Sequence, residues 1–142
     1  MIELASSINK AMPKYVVERA AVLVGQKIDS LKKAPVLVLG AAYKKNVDDV
    51  RESPALEVMH LLLKKGASVS YSDPFVPSLS IAGKKLRSQA LTPALVKKNR
   101  CVIILTDHSA FNYAMVVRQA KRVLDTRNVL RKFKPTGNVS FL

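Results

Sequence analysis

An apolar run that ends in glycine and leads into a capped helix is the feature that most constrains the fold of this chain. The run PVLVLG, residues 35–40, has no polar side chain, which is typical of a strand buried on both faces of a parallel sheet. In the helix that follows, Ser53 is the expected N-cap, Pro54 occupies the first position and Gly66 ends the helix. ASVSYSDP then predicts a second strand, so the whole segment predicts a right-handed strand–helix–strand unit.

The remaining alternation of helices and strands extends this unit into a doubly wound α/β fold, with a parallel sheet of about five strands. TPALVKKN predicts a short helix, CVIILTDHSAF a strand followed by a helix from about Ala110 to Ala120, and RVLDTRNVL a strand near Val123. Between the second strand and the short helix, PFVPSLSIAGKKLRS predicts a loop with at most a short edge strand near Leu86.

Both ends of the chain are predicted to lie outside this sheet. Apolar residues at helical spacing predict a long helix from Pro13 to about Leu31, with a separate helical segment before Pro13. The predicted organisation is therefore a helical segment over 1–32, an α/β domain over 33–133 and a C-terminal tail over 134–142.

Charge is spread unevenly along the 142 residues, which carry a formal net charge of +14. Through Asp73 there are 11 basic and 8 acidic residues, whereas from Pro74 onward there are 13 basic and 2 acidic. Such a field attracts anions such as nucleotides, phosphorylated substrates or nucleic acid. A solvated basic surface without a ligand explains the same numbers equally well.

The composition predicts a protein of the reducing cytoplasm with no membrane segment. One cysteine allows no intrachain disulfide, and the apolar stretches are far shorter than the ~20 residues of a membrane helix. The first residues carry no signal-peptide pattern. They read as the middle of a helix, which suggests a fragment.

Ligands of doubly wound sheets bind outside the carboxyl ends of the strands. The loops predicted at that edge are GAAYKKNVDDVRES, SDPFVP, TDHSAF and DTRN. The first departs from the dinucleotide-binding pattern, since Gly40 stands alone and Ala42 occupies the second glycine position. Side chains would then have to hold a phosphate, and Lys44, Lys45 and Arg51 are available. The alternative is a loop tied together by its own ion pairs with Asp48 and Asp49.

Other reactive residues favour structural roles. Cys101 begins a buried strand, where a thiol is inert. His108 follows a strand end, where a capping or structural role is favoured over catalysis, and the flanking Asp107 or Ser109 could cap the next helix. His60 is interpreted as half-buried helix packing. The sequence has no metal-ligand spacing, and its basic stretches lack the interleaved aromatic residues of a nucleic-acid platform.

Two stretches, LGAAYKKNVDDVRESPALEVM and GASVSYSDPFVP, closely resemble the C-terminal domain of the UDP-glucose/GDP-mannose dehydrogenase family. The form YKKNVDDVRESP looks most like the branch that acts on UDP-N-acetylhexosamines, the mannosamine and glucosamine derivatives. INKAMPKYVVERA is similar to the end of the family's central dimerisation helix, and ILTDHSAF and VLDTRNVL also match in order. The resemblance covers roughly Asn9 to Leu130.

The resemblance implies a Rossmann-like domain that holds the UDP part of a substrate. It implies that Tyr43 and Lys44 lie beside the nucleotide sugar, that Arg51 lies near the same site, and that Arg127 reaches the nucleotide. The family oxidises the sugar C6 alcohol to a carboxylate with two NAD+. Its NAD fingerprint and its catalytic cysteine motif have no counterpart here, and Cys101 is in the wrong context.

We therefore expect this chain to contain no catalytic residue, to bind no cofactor or metal, and to be inactive alone. The expected partners are UDP or a UDP-sugar, the family's N-terminal and central domains, and a second copy through the N-terminal helix. Two alternatives remain at this point: a basic domain that binds polyanions or nucleic acid, and an interaction module without a ligand. The sequence does not select the sugar.

Overall fold

The computed structural model describes residues 2–25, 31–46, 50, 53–135 and 137–142, with only the backbone of residues 2–11. Its helices are α1 (Ile2–Gly25), α2 (Pro54–Lys64), α3 (Pro93–Lys98) and α4 (Tyr113–Gln119), with a 3-10 turn at Arg131–Phe133. Its strands are β1 (Pro35–Leu39), β2 (Ser68–Ser72), β3 (Ser78–Ile81), β4 (Lys84–Arg87), β5 (Cys101–Ile104), β6 (Val123–Asp125) and β7 (Val139–Phe141).

Five strands form one parallel sheet in the order β2-β1-β5-β6-β7. The chain builds outward from β1 to β2 on one side, then returns to β5 on the other side. β1 and β5 are therefore the point where the strand order reverses, and the crevice at their carboxyl ends is the usual ligand site of such sheets. The predicted α/β fold with a parallel sheet is confirmed.

Helices cover both faces of the sheet. Val36 and Val38 of β1 lie in the core cluster that also contains residues of α1 and α2. Leu37 and Leu39 lie in the opposite cluster, with α3 and α4. This alternation buries β1 on both faces, which explains why its sequence is an unbroken apolar run.

The strand–helix–strand unit forms as its sequence predicts. Ser53 caps α2 by accepting a hydrogen bond from the Ala55 amide at 3.2 Å, and Pro54 occupies the first turn. Gly66 follows the helix with a φ of +88°, a conformation that costs glycine little. β1 and β2 then pair in parallel from Pro35 opposite Ser68.

The N-terminal helix is longer than predicted. α1 begins at Ile2, so Pro13 lies inside one helix and does not start a second one. Proline removes only one helical N–H bond, and buried Val16, Val17 and Ala20 hold the following turns against the core. α1 is described as far as Gly25, and the rest of the helix predicted toward Leu31 falls on residues 26–30, which lie outside the described residues.

The predicted loop before α3 contains an antiparallel hairpin, in which Leu79 of β3 pairs with Leu86 of β4. Only the strand around Leu86 was expected. The two turn residues, Ala82 and Gly83, have φ values of 51° and 79°, as a two-residue hairpin turn requires. Alanine is unusual at such a position, and the turn therefore gave no sequence signal.

The prediction of a tail over residues 134–142 is wrong, because Val139–Phe141 form β7 and pair in parallel with β6. The strand has only three residues, which gives a weak pattern. Its approach is fixed by Asn138, whose side-chain amide donates to the carbonyl oxygens of Val117 and Ala120.

Candidate functional site

Four loops meet at the carboxyl edge of the sheet: the β1 loop (41–46), the β2 loop (73–77), the β5 loop (105–112) and the β6 loop (126–130). Gly40 allows the first and third to touch. Its φ is +91°, and a Cβ there would lie 2.4 Å from the Thr106 Cβ. Thr106 in turn donates its hydroxyl to the Ala42 carbonyl at 2.7 Å. The β1 and β5 loops are thus packed backbone to backbone.

The buried carboxylate of Asp73 holds the start of the β1 loop. Its Oδ2 accepts the amide N–H groups of Ala41 and Ala42 at 2.7 and 3.0 Å, and its Oδ1 accepts that of Phe75 at 2.8 Å. In a dinucleotide-binding domain the amides of this turn face a pyrophosphate. Here a protein carboxylate occupies two of them and residue 42 carries a methyl group, so this turn does not fit an NAD pyrophosphate.

The start of α2 is tied to the same loop. The Ser53 hydroxyl donates to the Ala41 carbonyl at 2.8 Å while it accepts from Ala55 at the helix start. One N-cap side chain therefore satisfies groups on both the helix and the β1 loop. Ser53 and Ala55 are buried at this contact, whereas Pro54 is exposed.

Three of the four predicted binding residues lie in described loops of this edge. Tyr43 and Lys44 belong to the β1 loop, where Tyr43 is 52% exposed and Lys44 is also exposed. Arg127 lies in the β6 loop, two strands away, at a separation of ~10 Å between the strand ends. Arg51, the fourth, lies outside the described residues, as do Asp48, Asp49 and Glu52, so the proposed ion pairs of this loop are not described.

A buried carboxylate also shapes the loop that carries Arg127. Asp125 accepts the Arg127 amide at 2.9 Å through Oδ1 and the Leu130 amide at 2.8 Å through Oδ2. The Arg127 side chain is 43% exposed, and its Nε lies 3.4 Å from the Asp107 Oδ1. The guanidinium is thereby directed toward the β5 loop, which separates it from the β1 loop.

A cleft of about 460 Å³ opens at this edge, between the β5 loop, α4 and the β6 loop. Its lining combines cations, aromatic rings and polar groups: Lys45, Asp107, Ser109, Phe111, Asn112, Tyr113, Ala114, Val129, Lys132 and Phe133. The volume falls in the usual range for small-molecule sites, ~300–1,000 Å³. Lys45 follows Lys44 in the chain and Asp107 contacts Arg127, so the cleft lies beside the predicted binding residues.

A second cleft, of about 580 Å³, lies between α1 and α2 and is mainly apolar. It is lined by helix residues together with Leu31, and no strand-end loop contributes to it. It is the larger of these two clefts, but the chemistry favours the cleft at the carboxyl edge of the sheet, where cations and hydrogen-bonding groups converge.

Buried titratable groups near the edge have structural roles. Burial raises the pKa of Cys101 to about 12, and the thiol lies fully inside the sheet, which confirms a core cysteine. Burial and then the Asp73 charge raise the pKa of Tyr71 to about 12, and its hydroxyl donates to the Val76 carbonyl at 2.8 Å. Burial, followed by the Asp107 and Asp125 charges, raises the pKa of Tyr113.

His108 is fully buried and hydrogen-bonded at both ring nitrogens, to Asp73 and to the Asn46 amide. Its hydrogen bonds within the protein favour a structural role. The predicted caps of the next helix, Asp107 and Ser109, do not cap α4. Asn112 caps α4, which begins at Tyr113 and not near Ala110. The sequence shows SDP and TDH at two strand ends, and only the fold brings the Asp73 and His108 side chains together.

Within the part of the chain that the structure describes, no group of three His, Cys, Asp or Glu side chains could hold a metal ion. The helices of this part are also too short or too polar to cross a membrane.

Comparison with protein-family models shows which family the chain belongs to. Residues 37–132 match the model of the UDP-glucose/GDP-mannose dehydrogenase family, UDP binding domain. The match covers more than half of the 142 residues. The chain therefore belongs to the UDP-glucose/GDP-mannose dehydrogenase family and contains its UDP-binding domain, as the sequence resemblance predicts.

Curated relatives of the chain are named as dehydrogenases of UDP-sugars. The UDP-N-acetyl-D-mannosamine dehydrogenase of Methanococcus maripaludis is 32% identical over 137 residues, which cover 91% of this chain and 30% of the relative. The UDP-glucose 6-dehydrogenase of Rickettsia bellii is 31% identical over 143 residues, which cover 92% of this chain and 31% of the relative. The chain thus spans about a third of the length of these relatives.

Solved structures agree with the fold. The UDP-glucose dehydrogenase of Pyrobaculum islandicum superposes with a TM-score of 0.74 at 32% identity, over 94% of this chain and 30% of that one. The UDP-N-acetyl-mannosamine dehydrogenase of Staphylococcus aureus gives 0.67 at 30% identity, over 95% of this chain and 31% of that one. These matches confirm the Rossmann-like fold class.

Proposed function

We propose that this chain binds UDP or a UDP-sugar at the carboxyl edge of its sheet, through Tyr43, Lys44, Arg51 and Arg127. Family membership supports the ligand class. The position of three of these side chains, on loops either side of β5, supports the site. The role of Arg51 rests on its sequence motif alone.

The observation that carries the proposal is the Asp73 carboxylate on the Ala41 and Ala42 amides. Because those two donors are occupied, a diphosphate at this edge has to be held by side-chain cations. Lys44 is exposed on the β1 loop and Arg127 is half-exposed on the β6 loop. Charge-assisted hydrogen bonds from such groups contribute about 1.5–3 kcal/mol each.

The remaining parts of the ligand have matching neighbours. Tyr43 presents an aromatic ring at the surface, suited to packing against a base or sugar face. The strand-end cleft supplies Phe111, Phe133 and the Asn112 side chain within the same edge. We assign the diphosphate to the Lys44 and Arg127 side chains and the flat part of the nucleotide to the neighbouring aromatic surface.

The larger role follows from the relatives. We propose that the domain serves an NAD-dependent enzyme that oxidises the C6 alcohol of a UDP-N-acetylhexosamine or UDP-glucose to the uronate. The chain itself supplies nucleotide binding, and we expect no NADH formation from this chain alone with a UDP-sugar. In such an enzyme α1, which exposes Tyr15 and Val22, would contact the preceding domain and a second copy.

Titration calorimetry with UDP tests the binding proposal. Lys44→Ala is expected to weaken UDP binding by roughly 10- to 150-fold, the equivalent of one charge-assisted hydrogen bond. Lys97→Ala is the matched control, because it removes the same charge from an exposed position on α3, near the opposite edge of the sheet. It is expected to leave the UDP affinity within about twofold, since a distant exposed charge is largely screened.

Two results would contradict the proposal. Equal losses for Lys44→Ala and Lys97→Ala, with ADP binding as well as UDP and steep salt dependence, would indicate a general polyanion binder. The absence of heat with millimolar UDP would indicate an interaction module without this ligand.

A further inference from the structure

The His108 ring makes two different hydrogen bonds inside the protein. Its Nδ1 accepts the backbone N–H of Asn46 at 2.7 Å, and its Nε2 lies 2.8 Å from the Asp73 Oδ2. Because the Asn46 amide donates to Nδ1, that nitrogen carries a lone pair and the ring proton lies on Nε2. Nε2 therefore donates to Asp73, and the ring is neutral in this arrangement.

Two aromatic side chains pack against the ring. Phe75 lies at a centroid distance of 4.9 Å and Phe111 at 5.5 Å. The ring has no exposed surface. These contacts hold the ring in place, and its two hydrogen bonds direct Nδ1 to the β1 loop and Nε2 to the β2 loop.

Asn46 follows Tyr43 and Lys44, two of the proposed ligand contacts, in the β1 loop. Its φ is 61°, a left-handed conformation in which asparagine is tolerated better than most residues. Its side chain forms two reciprocal hydrogen bonds with Ser109, from Nδ2 to the hydroxyl and from the Ser109 amide to Oδ1, both at 2.9 Å. Asn46 is thus bonded to the β5 loop through both its backbone and its side chain.

The backbone on both sides of residues 43–45 is therefore held by one connected network. Asp73 holds the amides of Ala41 and Ala42 before them, and His108 holds the amide of Asn46 after them. Between them stand only residues 43–45, all exposed. These include the tyrosine and lysine that we assign to the nucleotide.

We propose that His108 is a positioning residue for UDP binding: its Nδ1 fixes the backbone at Asn46 in the β1 loop and thereby the presentation of Tyr43 and Lys44. This inference rests on the proposed function. His108 touches no ligand in this account, because it is buried beneath the loop. Losing Nδ1 as an acceptor would leave Lys44 with more conformations to lose on binding, which weakens affinity without removing any ligand contact.

Two substitutions separate the roles of the two nitrogens. In His108→Asn the side-chain oxygen can occupy the region of Nδ1 and accept from Asn46, whereas the contact with Asp73 is lost. In His108→Gln the terminal amide can reach the region of Nε2 and donate to Asp73, whereas the Asn46 amide loses its acceptor. Both replace a buried ring by a smaller amide, so both are expected to lower the melting temperature.

The measurements are UDP titration calorimetry, thermal melting and hydrogen exchange at the Asn46 amide on the same proteins. We expect His108→Asn to keep the wild-type UDP affinity within about threefold, and His108→Gln to lose roughly tenfold, the value of one net hydrogen bond. Exchange at Asn46 should be faster in the glutamine variant than in the asparagine variant. Affinity losses that are equal, or that follow the melting temperatures, would overturn the positioning role.

Ser109→Ala covers the case in which neither histidine variant folds. It removes an exposed hydroxyl partner of Asn46 and leaves the buried network intact, so we expect a two- to threefold loss of UDP affinity and faster exchange at Asn46. Faster exchange at Asn46 with an unchanged UDP affinity would contradict the proposal, because the anchoring of Asn46 would then not affect binding. If wild-type protein does not bind UDP, the proposed function fails, and the exchange rates of Asn46 still decide whether His108 holds the loop.

Discussion

Asp73 and Asp125 are both buried at the carboxyl edge of the sheet. Their carboxylates differ in the parts of the protein that they bond. Asp73 follows β2 and accepts an amide of its own loop, from Phe75. It also accepts the two amides at the start of the β1 loop and faces His108 of the β5 loop. One carboxylate therefore joins three loops, through partners in the β1 and β5 loops that lie 31 to 35 residues from it in sequence.

The carboxylate of Asp125, at the end of β6, makes only short-range bonds among the residues that the structure describes. Both of its oxygens accept amides of the following loop, from Arg127 and Leu130. This loop contacts the β5 loop through Arg127 and Asp107, at 3.4 Å and partly exposed, and the Thr126 hydroxyl donates to the carbonyl of Ile104 at the end of β5 at 2.6 Å. Asp125 thus shapes one loop, whereas Asp73 assembles three.

The difference divides the proposed binding edge into two parts. The interlocked part comprises the β1, β2 and β5 loops and presents Tyr43 and Lys44. The self-contained part is the β6 loop, which presents Arg127. In the proposed site both parts surround the diphosphate, and we expect the first to be coupled more strongly to the stability of the whole domain.

The largest expected effect comes from removing the two carboxylates in turn. Asp73→Ala leaves four N–H donors without their acceptor, and we expect it to lower the free energy of unfolding by about 4 kcal/mol. Asp125→Ala removes the acceptor of two amides and should cost about 2 kcal/mol. Urea denaturation measures both. Equal losses would contradict the division of the edge into an interlocked and a self-contained part.

Asp73→Asn is the control for shape. It retains one oxygen acceptor and the volume of the side chain, so it should be less destabilising than Asp73→Ala. If both Asp73 variants are fully folded, UDP titration gives a second comparison. Asp73→Asn should still weaken binding more than Asp125→Asn, since it disturbs two anchors of the β1 loop.

A glycine pair provides the next comparison. Gly40 lies in the interlocked part, where an added Cβ would meet Thr106 at 2.4 Å with a φ of +91°, whereas Gly137 before β7 has a φ of +106° and no atom within 4 Å of such a Cβ. We expect Gly40→Ala to lower the free energy of unfolding by about 3–4 kcal/mol, from the strained backbone and the overlap together. Gly137→Ala should cost only the backbone part, about 1–2 kcal/mol. A similar loss at both positions would show that the β1–β5 contact is less tight than described.

The smallest expected effect is a pH dependence of the stability, caused by Cys101 in β5. This strand lies between β1 and β6, which lead into the two parts. The native thiol of Cys101 has a pKa of about 12, whereas an unfolded cysteine has a pKa of about 8.5. The native state therefore keeps a proton that the unfolded state loses, so its stability is complete below about pH 8.5 and falls as pH rises above it. By pH 9.5 the loss should be about 1.4 kcal/mol. Cys101→Ala should be less stable at pH 7 but lack this part of the pH slope.

Local sequence signals predicted the parts of the fold that depend on neighbours in the chain. Ser53, Pro54 and Gly66 marked the helix of the first strand–helix–strand unit, and an unbroken apolar run marked β1. The hairpin was not predicted, because its first turn residue, Ala82, adopts a positive φ that is usually found at asparagine or glycine. β7 was not predicted, because a strand of three residues at a sheet edge has too little periodicity to be recognised.

The candidate site was predictable only in outline. The strand-end rule selected the loops of Tyr43, Lys44 and Arg127, because the carboxyl ends of parallel strands share one edge. Which groups those loops bond could not be read from the sequence, since Asp73 and His108 meet only when β2, β1 and β5 are side by side. The resemblance to a known family supplied the ligand class, which no residue spacing could give.

Amide chemical-shift mapping with UDP tests the central claim most directly. Titration of the isotope-labelled chain is expected to shift amides of the β1 loop and of the β6 loop together, with one saturating curve, and ADP should cause weaker changes in the same loops. Shifts that centre on the cleft between α1 and α2, or that spread over the basic surface alike for UDP and ADP, would contradict the account.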